Sequence, residues 1–209
     1  MKQIIFGLFI IIALQTQAQS DKYTSAMVAA LSELKDAKVA DDINAVAAKF
    51  IRIGDAEKNQ WLPYYYAALT KARMSFMHFG NPDDLADEAN TIIAKAEAIS
   101  ANNSEILCVK SMISSCKLLV DPQSRWQEYG AKSNQFIAQS KAADSTNPRP
   151  WVLEAMGLKN MPEQFGGGCK RAKPSAEKAE ALYSIFKAAS ELAPTWGKDL
   201  VDPIIAECK

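Results

Sequence analysis

The chain has a single histidine, His78, and that scarcity closes several routes at once. Metal centres usually gather His, Cys and carboxylates. A Ser–His–Asp relay would have to run through this one ring, and no sharp strand-to-helix serine turn accompanies it. A helix-end or core role suffices for His78. Charge of one sign is missing too. Lys and Arg number 24, Asp and Glu 24, so the basic excess or stripe of a nucleic-acid binder is absent. Beyond the N-terminus no apolar run approaches the roughly 20 residues of a membrane span. Strand-like alternation and low-complexity stretches are also absent. Glycine clusters once, at Gly166-Gly167-Gly168-Cys169-Lys170. That stretch lacks the spacing and the Ser or Thr of a phosphate loop and reads as a connector, with Phe165 tucked into the core beside it. The acidic pairs Asp41-Asp42 and Asp83-Asp84 start helical patterns, where the positive helix end favours them. No catalytic constellation, cofactor or metal follows from these residues.

The N-terminus has its own character. Lys2 precedes an unbroken apolar run from Ile4 to Leu14, and Thr16-Gln17-Ala18 supplies a small residue for cleavage. This predicts a signal peptide over 1–18 and an exported product, periplasmic or extracellular. Residues 19–209 then form one domain, with 23 basic and 24 acidic residues once Lys2 is removed.

What the rest of the chain has is a repeat. Trp61, Ile106, Trp151 and Trp196 are spaced by 45 residues. Ala86, Ala131 and Ala176 keep the step, as do Ile92, Ile137 and Leu182, and Ala98, Ala143 and Ala188. A fixed period of about 20–50 residues marks stacked structural units. Apolar residues recur at helical spacing throughout, predicting hairpins over 22–54, 60–100, 104–144 and 149–192, then a capping helix over 196–208. Within them, helices are expected at 62–79, 82–100, 104–120, 122–143, 150–161 and 173–192. Asn81-Pro82 and Asp121-Pro122 are start signals. Asp41 or Asp42 could cap the second helix, Gly54-Asp55 should end it, and Pro203 should kink or shorten the last one. The prediction is all-α. Of Tyr64-Tyr65-Tyr66, one or two must be core. Cys108 and Cys116, eight residues apart in a helical pattern and so about 12 Å apart, cannot bridge and read as helix packing. Cys208 lies one period after Glu163, near the loop that carries Cys169. Export permits disulfides, and Cys169–Cys208 is the favoured bridge, stapling the C-terminal helix.

Trp61, Tyr64, Tyr65 and Ala68 resemble the first helix of a tetratricopeptide repeat, as do Ile106, Val109 and Ile113, and Trp151, Ala155 and Leu158. The second-helix Ala positions and the turns at Asn102-Asn103-Ser104 and Asn147-Pro148-Arg149-Pro150 extend the resemblance over about 60–196. The period departs from it, since the family repeats every 34 residues. The resemblance implies a right-handed superhelical stack of helical hairpins whose concave face is lined by first helices. Carried over by position, that face holds Asn59, Leu62, Tyr66 and Thr70; Ser104, Leu107, Ser111 and Ser115; and Arg149, Val152, Met156, Lys159 and Asn160. It suits an extended peptide with an acidic group. The leading expectation is an exported, non-catalytic scaffold for a protein or peptide. The alternative is a periplasmic small-molecule binder or solute-uptake accessory protein.

Overall fold

The computed structural model describes residues 21–208, so the leader expected over 1–18 lies outside the described residues. Every regular element described is helical and none is a strand. In chain order they are α1 (21–36), α2 (Ala40–Glu57), α3 (Leu62–Phe76), α4 (Pro82–Ile99), α5 (Ser104–Val120), α6 (Pro122–Arg125), a π turn (Trp126–Gly130), α7 (Ala131–Ala143), α8 (Arg149–Asn160), a 3₁₀ turn (Glu163–Phe165), α9 (Cys169–Ile185) and α10 (Lys198–Glu207).

Local chemistry sets these boundaries. The Asn81 side chain accepts from the backbone N–H groups of Asp83 and Asp84, and Pro82 takes the first helical position of α4. Asn103 caps α5 in the same way. At α2 the cap is Val39, with no side-chain bond, and Asp41 and Asp42 sit in the first turn instead. Gly54 does not end α2. The helix runs through it to Glu57 because Gly54 is where the Tyr64 ring crosses: a Cβ there would stand 2.7 Å from Tyr64 Cζ. The Tyr64 hydroxyl then donates to Asp55 at 2.7 Å. The glycine cluster is a tight turn between α8 and α9. Gly166 and Gly168 have φ of 87° and 84°, and a Cβ on Gly167 would meet the Met161 carbonyl at 2.0 Å. Phe165 on this turn is 71% exposed rather than tucked into the core: the turn folds on its own backbone bonds and leaves the ring outside.

Successive helices pair as antiparallel hairpins, α3 with α4, α5 with α7 and α8 with α9, while α3, α5 and α8 also pack side by side. Two contacts show that α3 and α5 run parallel. Tyr65 donates to Glu105 near their starts, and Cys116 Sγ donates to the Ala72 carbonyl near their ends. All three of Tyr64, Tyr65 and Tyr66 are buried. One apolar cluster runs from Tyr23 to Cys116, and a second joins α8, α9 and α10. Cys169 and Cys208 form a disulfide with Cα atoms 5.0 Å apart, tying the last turn of the chain to the start of α9. Cys108 and Cys116 are free and buried.

The C-terminal third departs from the periodic reading. Helix α9 stops at Ile185 rather than 192, because Phe186 adopts extended backbone at φ −65°, ψ 131°. Residues 186–197 form an irregular strap, and α10 begins at Lys198 behind Gly197. Pro203 is accommodated inside that helix.

Candidate functional site

The strap decides what happens on the face formed by α3, α5 and α8. Leu192 is buried with the first apolar cluster, alongside Tyr66 and far in sequence from the rest of it. Tyr66 donates to the Leu192 carbonyl at 2.8 Å, Tyr183 to the Trp196 carbonyl at 2.7 Å, and Arg149 Nη2 to the Pro194 carbonyl. The Trp196 indole N–H donates to Tyr65 at 2.7 Å. Tyr65 in turn donates to Glu105 at 2.9 Å, and Glu105 also receives Arg149 Nη1 at 2.9 Å and Asn147 at 2.8 Å. Arg149 is only 1% exposed, and burial without Glu105 would be prohibitive for its charge. Burial pushes the Glu105 carboxyl above the usual range, and Arg149 and the Tyr65 and Asn147 bonds pull the other way. The Tyr65 hydroxyl is likewise pushed well up by burial.

The positions expected to line a peptide groove are therefore dispersed. Tyr66 and Arg149 lie under the strap. Thr70 is buried without a hydrogen-bond partner. Ser111 and Ser115 bond Ser133 of α7, so they join the two helices of one hairpin. Ser104 does the same through Ser140, and Val152 is core. Leu62 and Met156 pack on the apolar clusters. Lys159 pairs with Glu207 of α10 at 2.7 Å. Asn59 and Asn160 are exposed.

What the fold leaves open is apolar and lies elsewhere. The parallel run of α3 and α5 brings their C-terminal ends to one edge. Phe76 and Met77 end α3, Leu119 and Val120 end α5, and Trp126 opens the π turn; all are exposed, Met77 at 50%, Leu119 at 59% and Trp126 at 51%. The Arg125–Asp83 ion pair, 2.6 Å, joins the α3–α4 and α5–α6 turns. The Trp126 ring is held against the backbone at Gly130, where a Cβ would stand 3.2 Å from it and 3.8 Å from Leu118. π turns inside helices recur at functional sites, and this one carries the exposed indole. Cations lie beside the π turn. Lys117 and Lys132 lie 5.9 and 5.2 Å from the Tyr129 ring centroid. Each cation is paired with an exposed carboxylate, Lys117 with Asp87 and Lys132 with Glu128, and such pairs exchange cheaply. His78 sits at this edge with φ 59°, exposed. By repeat position Phe165 marks the corresponding turn of the next hairpin. A separate trough of about 940 Å³ beside α2 and α4 is lined by Asp84, Asp87, Glu88 and Lys71, a poor match for an anionic ligand.

No family model matches the chain, and no curated protein matches it. Among solved structures, the HusA haemophore from Porphyromonas gingivalis aligns with a TM-score of 0.81 and 35% identity, covering 90% of this chain and 92% of that one. This chain belongs to the family of that haemophore. Membership overturns the expectation of a protein or peptide scaffold and favours the alternative, small-molecule binding. The family's fold is helical, as here, and no described helix is long and apolar enough to cross a membrane. Sequence reasoning missed this exposed edge because it followed the periodic positions. The signal was off the period: Phe76-Met77, Leu118-Leu119-Val120 and Trp126 are apolar residues at helix ends, where no packing register asks for them.

Proposed function

We propose that this chain is an exported haem-binding protein that captures the macrocycle on the apolar edge around Trp126, without catalysing a reaction. The likeness to a haemophore over nearly all of both chains carries the reading. The edge suits the ligand: haem is a flat apolar ring with two carboxylates, and the patch offers an indole, Phe76, Met77, Leu119 and Val120 for the ring, with Lys117, Arg125 and Lys132 for the carboxylates. Residues 1–18 as a cleaved leader fit a protein that meets haem outside the cytoplasm. The side-by-side packing of α3, α5 and α8 supports reading the hairpin stack as a tetratricopeptide-like superhelix.

His78 and Met77 could approach iron, since both side-chain types serve as haem ligands. A built histidine ligand, however, donates its second ring nitrogen to a fixed partner, and among the described residues His78 has none. The ring-stacking surface therefore dominates. Titration of the mature chain with haemin, read in the Soret band, is expected to saturate. Trp126→Ala should weaken binding about 10-fold, the loss of about 1.4 kcal/mol of stacking and burial, while His78→Ala changes it less than about 3-fold. Absence of saturable binding in the unmodified chain would reject the reading. Undiminished binding by Trp126→Ala, with helicity intact, would move the site off this edge.

A further inference from the structure

The seat of Trp196 holds more recognition chemistry than one side chain uses. The guanidinium carbons of Arg73 and Arg149 each stand 5.5 Å from the indole centroid, and Arg149 also stands 4.9 Å from the Phe186 ring. Tyr65 accepts the indole N–H. One buried donor of this seat remains without a partner: Arg149 Nε, on a side chain 1% exposed. Buried polar groups are almost always satisfied, so the unpartnered Arg149 Nε, on a guanidinium that faces the Trp196 ring, points to an oxygen ligand for this seat. The occupant is also lightly held. Strap carbonyls at Leu192, Pro194 and Trp196 accept the bonds that fix it, Leu192 and Pro194 are buried and Trp196 is partly buried, while residues 187–191 are exposed. Segments with few buried apolar contacts open at low cost.

We propose that this seat is a second ligand site, which takes a planar aromatic carboxylate in place of Trp196 when the strap lifts. The ring would lie on the guanidinium faces, where cation–π attraction is strongest for extended aromatics. The carboxylate would receive the Arg149 Nε–H and the Arg73 fork, a geometry that guanidinium matches and ammonium does not. Tyr65, released from the indole N–H, would keep its bond to Glu105. The site is distinct from the haem edge. Tyr65 and Phe76 are eleven residues apart on α3, about 16 Å; Arg73 lies one turn before Phe76, so the Trp126→Ala arm below separates the proposal from the reading above.

Indole-3-acetate is a probe of the required chemistry. In ¹⁵N spectra of the unmodified mature chain, millimolar indole-3-acetate is expected to move the Trp196 indole N–H signal and leave that of Trp126 in place, with the same response in Trp126→Ala. Trp196→Gly, which empties the seat, should bind the probe at least 10-fold more tightly than the unmodified chain and prefer it over neutral 3-methylindole. Arg73→Gln in that background should erase the preference. A Trp196 signal unmoved by the probe overturns the proposal, and this arm needs no variant to fold. Equal binding of 3-methylindole and indole-3-acetate by Trp196→Gly also overturns it, because the seat would then read only shape.

Discussion

Arg149 shows how one side chain can be both anchor and liability. Its charge is buried and balanced by Glu105, with Asn147 and Tyr65 completing the carboxylate's bonds. Removing one partner of such a pair typically costs about 3–5 kcal/mol, so Arg149→Met should lower unfolding free energy by about that amount in urea at pH 7. The pH dependence has a definite sign. The folded Glu105 pKa is raised above its unfolded value by burial. Between the two values the folded state holds more protons, so this group's contribution to stability falls as pH rises through that window. Arg149 is the cation that opposes the shift, and its loss pushes the carboxyl higher still. The deficit of Arg149→Met should therefore shrink as pH is lowered from 7 towards 4; a deficit that stays constant or grows over that range would show that Glu105 is not the group left uncompensated. None of this hub could be read from spacing. Arg149 opens α8, but its partners come from residues 44 and 45 positions away.

At the scale of elements, helix identities were legible because caps and apolar spacing are local, and α4 and α5 begin where Asn81 and Asn103 say they should. Gly54 misled for a tertiary reason: it serves ring contact inside a helix. Gly54→Ala gains up to about 1 kcal/mol of helix propensity but must displace a ring pinned through Asp55, and overpacking costs about 1–3 kcal/mol. A net loss near 1 kcal/mol is expected in thermal or urea denaturation, partly relieved by Tyr64→Phe, which frees the ring; a stabilised Gly54→Ala would show that the ring moves without cost. The Cys169–Cys208 bridge closes a loop with a separation of 39 residues, for which chain entropy gives about 4 kcal/mol. Cys169→Ser with Cys208→Ser should lower stability by up to that amount and speed amide exchange first in α10. Unchanged α10 exchange would mean that packing of Val201 and Ile204 alone holds the helix.

For the molecule as a whole, periodicity announced a stack of hairpins and was silent on its use. The period rises from core positions that recur, whereas the two proposed sites rest on what does not recur: the π turn at Trp126 and the strap. Residues 186–192 look helical in composition, and only Pro194 and Gly197 hint otherwise, so the filling of the inner face was hidden. If the chain captures haem, ligand at about 100-fold over Kd adds about 2.7 kcal/mol to the folded state, raising the melting midpoint by about 5–10 °C for a chain of this size. Haemin that leaves the midpoint unmoved at that excess would contradict a folded-state site.

The strap also sets an order of events. Tyr66 meets Leu192 across 126 residues, and Tyr65 meets Trp196 across 131, whereas each hairpin closes between near neighbours. Local contacts form early and distant ones wait for the chain between them. As the chain is made, its first hairpins can therefore assemble with Tyr65 and Tyr66 uncovered, and the inner face closes only after residues 186–197 have arrived. Maturation then ends with a clasp: the strap settles, α10 docks, and the disulfide fixes the C-terminus to α9.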